Sequence, residues 1–243
     1  MNSDIKQRLK QAYYGLFGHD EYQKFAIIAH ARTGSNYLLA GLRSSEAIET
    51  HHEIFSSKQR TKGENFASIF SEVFGKKRKG TKAVGFKVFY YHLTDDEWTK
   101  LIAHKDLKVI HLTRENRLRT VVSQQIALKT DRWQSTNQTL PANEKKVRLD
   151  ASTLVGQLRF IQNQEHLARE RFKAHDILEV VYEDMVQNPG EVFQKLESFL
   201  GIDDIDVSQI SLRKQNAEKL EELVVNYDEV VQALATTEFA SSL

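Results

Sequence analysis

Four short runs rich in β-branched and aromatic residues set the fold problem: "FAIIAH" (25–30), "AVGFKVFYY" (83–91), "LKVIHLT" (107–113) and "ILEVVYE" (177–183). They are mostly continuous apolar runs, which suits strands covered on both faces. Between them lie amphipathic segments, and that alternation is the pattern of a parallel sheet wrapped by helices. A weaker strand is expected near "AIETHH" (47–52). Helices are expected over 35–44, 116–129 and 152–173, where apolar residues recur at helical spacing. In "NPGEVFQKLESFLGI" (188–202), Asn188 is expected to cap, Pro189 to sit in the first turn and Gly201 to end a helix striped by Val192, Leu196 and Phe199.

No Ser/Gly-rich linker divides the 243 residues, and prolines occur only at 141 and 189. The expectation is one domain over 1–243, with an N-terminal helix at about 3–17 and a core from residue 25. Its fold class is α/β, a three-layer sandwich around a central, mainly parallel, P-loop-like sheet. The formal charge of +1 argues against broad nucleic-acid binding, and the absence of cysteine excludes disulfides and thiolate metal sites. The first twenty residues have no apolar core of signal-peptide length, and no window approaches a membrane span, so a cytoplasmic protein is expected.

The loop after the first run, "HARTGSN", is where chemistry enters. At a strand-to-helix turn, free backbone N–H groups and the helix dipole attract phosphate or sulfate. Gly34 permits close backbone approach, Ser35 can cap the helix, and Arg32 brings a permanent cation with a forked donor set. The nucleotide-hydrolysing loop requires G-x-x-x-x-G-K-[ST], and here both the first glycine and the lysine are missing. Alone, the loop reads equally as an ordinary turn. A second strand-turn-helix, "VIHLTRENRLRTVVSQ", places Arg114 at a strand end and Ser123 nine residues on. Arg119 and Ser123 fall one turn apart on one helix face. Two anion sites on adjacent strands suit a bisphosphorylated nucleotide.

With both motifs present, the sequence resembles the PAPS-dependent sulfotransferases, particularly the bacterial carbohydrate and nodulation-factor branch. "RTGSNYL" is similar to that family's 5'-phosphosulfate loop, and "LTRENRLRTVVS" to its 3'-phosphate motif. "VGFKVFYYH", "VYEDMVQNPGEVFQKLESFLGI" and "NYDEVVQALATTEF" extend the likeness over about residues 25–240. The resemblance implies that Arg32, Thr33, Gly34, Ser35 and Asn36 hold the 5'-phosphosulfate and that Arg114 and Ser123 hold the 3'-phosphate. It implies PAPS as co-substrate, PAP as product, no required metal, and a small, sugar or lipid-linked acceptor; whether the chain forms a homodimer stays open.

Sulfuryl transfer calls for charge stabilisation on the leaving phosphate and a base at the acceptor hydroxyl. Glu53, in "IETHHEIF", resembles the catalytic glutamate of the carbohydrate enzymes, with Glu49, His51 and His52 as competitors. Lys87 falls inside an apolar strand, where a lysine is costly unless it reaches an anion. His92 ends the same run and loosely resembles the catalytic histidine of the cytosolic branch. Arg132 and Trp133, in the aperiodic stretch 130–149, suit an acceptor. The basic run "KKRKGTK" (76–82) offers guidance for an anionic substrate, or only a solvated turn. "SLRKQN" (211–216) lacks the glycines of the cytosolic branch's nucleotide loop, so Arg213, Lys214 and Gln215 receive no phosphate role. Tyr182, Glu183 and Asp184 are expected to cap the helix that follows them. A kinase-like phosphotransferase with a modified loop, and a non-catalytic nucleotide-binding relative, are the alternatives.

Overall fold

A computed structural model describes residues 13–61, 64–133, 140–210 and 216–243. Strand β1 (Gln23–Ala29) is the middle of a five-stranded sheet with β2 (Ile48–His51), β3 (Ala83–Phe89), β4 (Lys108–Thr113) and β5 (Ile177–Val181). The order is β2-β3-β1-β4-β5, and every pairing is parallel. All five expected strands are present, each within a few residues of its expected bounds. Much of the expected N-terminal helix at 3–17 lies outside the described residues.

Successive residues of β1 serve opposite faces, which is why the run is apolar throughout. Phe25, Ile27 and Ala29 pack beneath α1 (Ser35–Leu42), α7 (Tyr182–Gln187) and α8 (Pro189–Leu200). Ala26 and Ile28 pack with side chains of α2 (Phe66–Val73), α3 (Asp95–Ala103) and α6 (Ala151–Phe172). A third cluster joins α4 (Arg117–Thr130) and α6 to α9 (Leu220–Leu223) and α10 (Tyr227–Leu234). Between α4 and α6 lies the short α5 (Ala142–Lys145).

Helix ends differ in places from the expectation. Gly34 is the N-cap of α1, so Ser35 is its first helical residue. Asn188 occupies the N-cap position of α8 but its side chain makes no capping bond, whereas Gly201 ends that helix in the left-handed region at φ 71°. Tyr182, Glu183 and Asp184 form the first turn of α7 itself rather than capping it from outside. The helix α3 opens with a capping box between Thr94 and Glu97.

The chain leaves β1 towards β2 on one side, whereas β4 leads on to β5 on the other. In an open parallel sheet, ligands bind outside the carboxyl ends of strands where the connections diverge in this way. Here that crevice lies between Arg32, after β1, and Arg114, after β4.

Candidate active site

The β1–α1 loop requires unusual backbone. Arg32 and Gly34 adopt positive φ, 69° and 88°. A side chain at Gly34 would also run into the Tyr182 ring, so glycine is demanded both by backbone and by space. Thr33 turns inward, 1 % exposed, and its hydroxyl donates to the His30 carbonyl at 2.8 Å. Of the loop side chains, Arg32, Ser35 and Asn36 face a cavity of about 660 Å³, with Gly34 in its wall and Thr33 outside it. The first N–H groups of α1 have no partner within the helix, so this wall offers backbone donors as well as a guanidinium.

Arg32 links the two anion motifs directly. Its Nε donates to Ser123 Oγ at 2.9 Å, and its carbonyl accepts from the Arg114 guanidinium at 3.2 Å. Burial, and then the neighbouring Arg114 charge, press the Arg32 pKa downward. Arg114 is 8 % exposed and stacks 4.5 Å over the Tyr182 ring. Among the described residues its buried Nε has no hydrogen-bond partner; Glu183 is 3.7 Å away, beyond hydrogen-bond range. Arg119, Val122 and Ser123 present one face of α4 to the same cavity, opposite Asn216, whose amide donates to Ser123 Oγ at 3.1 Å.

At the other end, the parity of β3 aims Lys87. Val84, Phe86 and Val88 go to the α2–α3 side, so Lys87 turns towards α1. Its ammonium, on a side chain 1 % exposed, lies 2.9 Å from Glu53 Oε1 and donates to Asn36 Oδ1 at 2.9 Å. Burial pushes the Lys87 pKa down, and Glu53 opposes that shift. His92 Nε2 sits 4.0 Å from the second Glu53 oxygen. The backbone N–H of Phe89 donates to His92 Nδ1 at 3.1 Å, so Nδ1 is an acceptor and the ring proton belongs on Nε2. Burial drives the His92 pKa down to about 4.

The other candidates point elsewhere. Ile48 packs on the α1 side, so Glu49 and His51 turn to the opposite face of β2. There the Lys77 ammonium and the His51 ring donate to Glu49 at 2.8 and 3.1 Å. Burial opposes those bonds, but they hold the Glu49 pKa at about 2. His52 is exposed and its Nε2 accepts from Arg43 at 2.8 Å, away from the cavity lining. The basic run is spent on neighbours: besides Lys77, Arg78 donates to the Glu46 carbonyl and Lys82 pairs with Asp203.

Trp133 reaches the cavity and Arg132 does not line it. The Trp133 carbonyl accepts from Arg32 at 2.6 Å, and the Lys58 ammonium stands 5.7 Å from its ring centroid. Arg213, Lys214 and Gln215 lie outside the described residues. Several wall residues carry no expectation from the sequence, namely Tyr91, Lys58, Asn216, Leu220 and Leu223, and Tyr182 is expected only as a helix cap.

Between residues 30 and 230 the sequence matches the family model described as Stf0 sulphotransferase. The chain belongs to the Stf0 sulphotransferase family. This family member is similar in fold to the sulfotransferase from Alicyclobacillus acidocaldarius, with TM-score 0.50, 17% identity, and coverage of 90% of this chain and 92% of that one. Weaker likenesses are to mouse sulfotransferase SULT7A1 complexed with PAP (TM-score 0.45, 15% identity, 84% and 68% covered). The sulfotransferase domain of the Synechococcus PCC 7002 olefin synthase is also similar (TM-score 0.44, 16% identity, 90% of each chain). No curated protein matches the sequence. Among the described residues of this Stf0 chain, no helix is long and apolar enough to cross a membrane.

Proposed function

We propose that the chain moves the sulfuryl group of PAPS to a hydroxyl of a carbohydrate, glycolipid or related small acceptor, as in the bacterial carbohydrate branch. The observation that carries the donor assignment is that Arg114 and Ser123 line the same cavity as Arg32, Ser35 and Asn36 at the start of α1. A 3'-phosphate seated at Arg114 and Ser123 would accept charge-assisted hydrogen bonds from the guanidinium and the hydroxyl. Charge supports the same reading. Among the described residues the cavity is lined by Arg32, Lys58, Lys87, Arg114 and Arg119 against the single carboxylate Glu53, an excess of four. A nucleotide bearing a 3'-phosphate and a 5'-phosphosulfate carries close to four negative charges.

PAPS supplies an activated sulfuryl group, whose bond to the 5'-phosphate breaks as a bond to the acceptor oxygen forms. Arg32, the α1 amides, Ser35 and Asn36 hold the phosphosulfate end, and Lys87 faces the oxygen on which charge develops. Glu53 takes the acceptor proton. His92, neutral and with its proton on Nε2, donates rather than accepts at this site, so its role is to orient the Glu53 carboxylate or an acceptor oxygen. His52, held by Arg43 outside the cavity, has no part in proton transfer.

The decisive assay incubates the protein with radiolabelled PAPS and a panel of free sugars and glycolipids, then analyses products by mass. Transfer of label to at least one hydroxylated acceptor, with equal release of PAP, is expected. Label retained on PAPS across all acceptors, under conditions where PAP binds, would favour the non-catalytic relative.

A further inference from the structure

Glu53 sits on a turn (52–60) outside helix and strand, so something other than a regular ladder must fix its position. One anchor is Phe55, 1 % exposed, whose ring packs 5.2 Å from Phe66 and 5.1 Å from Phe86 between centroids. The other is Arg60. Its Nε donates to the Phe55 carbonyl at 2.9 Å, and its two terminal nitrogens donate to the two oxygens of Glu97 at 2.6 and 3.0 Å. One of them also reaches the His92 carbonyl at 3.5 Å. Glu97 is itself fixed, accepting from the Thr94 N–H at 3.1 Å at the start of α3.

Arg60 therefore spans two segments: the turn that carries Glu53 and the β3–α3 loop that carries Tyr91 and His92. It does not line the cavity. The planar fork is suited to this task, because it can grip a carboxylate bidentately while a third N–H reaches a carbonyl. A lysine would keep the charge and lose that geometry.

We propose that Arg60 is a positioning residue for the transfer reaction, clamping the Glu53 turn to the β3–α3 loop so that Glu53 meets Lys87 and the acceptor hydroxyl at the working distance. This rests on Glu53 as the base. A misplacement of about 1 Å at a reacting group can cost about a hundredfold in rate.

The test compares full-length wild type, R60A, R60K and E53Q. The first readout needs no ligand: titration of the Lys87 ammonium by nitrogen-detected NMR, where Glu53 and Asn36 contact it and the Arg32 and Arg43 charges face it. Glu53 holds the Lys87 midpoint up, so E53Q lowers it, and R60A is expected to lower it in the same sense, with R60K in between. The second readout separates binding from chemistry. PAP affinity in R60A should stay within about threefold while sulfuryl transfer from PAPS falls about 10- to 100-fold. An unchanged Lys87 titration in R60A, accompanied only by a lower melting temperature, would reduce Arg60 to a structural residue. If R60A does not fold, R60K decides by the same titration. Failure of the wild type to bind PAP would defeat the donor assignment, and the Lys87 titration would still decide the position of Glu53.

Discussion

The Lys87 ammonium lies 2.9 Å from a Glu53 oxygen and donates at 2.9 Å to Asn36 on the phosphate loop. One buried cation thus joins the proposed base to the proposed donor site. An ammonium has three N–H donors, so an anion arriving at α1 can share it with Glu53. In the proposed mechanism Lys87 can thus contact donor and Glu53 together, which links donor binding to the position of the base.

Replacing Glu53 by glutamine should lower turnover by about 10²–10⁴-fold, the range of a lost general base, with PAP affinity nearly unchanged. Steady-state rates alongside calorimetry check this. H52A, altering a residue bound to Arg43 outside the cavity, should leave turnover close to wild type. A strong loss in H52A with a near-normal E53Q would exchange their roles.

Arg114→Ala should weaken PAP by about 10- to 100-fold, consistent with charged hydrogen bonds worth about 1.5–3 kcal/mol. A nucleotide lacking the 3'-phosphate should lose much less. Equal losses for the two ligands would remove Arg114 from the 3'-phosphate site.

Gly34→Ala places a Cβ against Tyr182 at a residue with φ 88°. Left-handed backbone alone costs a non-glycine residue about 1–2 kcal/mol, and the ring contact adds to it. The variant should unfold at lower denaturant concentration and bind PAP poorly. A midpoint equal to wild type would contradict the described loop.

His92 gives stability a defined pH dependence. Its pKa falls from 6.5 to about 4 in the fold, so between those values the unfolded chain binds the extra proton. Stability is therefore full above about pH 6.5 and declines as pH falls towards 4. H92N, which can still accept from the Phe89 N–H, should flatten that decline in denaturation curves at pH 7 and 4.5. An unchanged slope would show that His92 is protonated in the fold.

The strands were legible because burial on both faces leaves continuous apolar runs, and Lys87 stood out because a lysine there needs an anion. Choosing among Glu49, His51, His52 and Glu53 was not possible from spacing. The choice depends on where β2 stops: while the strand lasts, Glu49 and His51 face Lys77's side, and only the turn beyond brings Glu53 to the cavity. The place of Tyr182 in the site is not legible locally, because its contacts with Gly34 and Arg114 need β5 to lie beside β4. Asn216, Leu220 and Leu223 reach the wall from the far end of the chain, again without a local signal. Glu97 did carry one, the T-x-x-E spacing of a capping box.

The most direct measurement is calorimetric titration with PAP and, separately, with ATP and magnesium. Saturable PAP binding that weakens with salt is expected, with much weaker binding of ATP with magnesium. Tight ATP–magnesium binding without PAP binding would contradict the sulfuryl-donor site and favour a phosphotransferase.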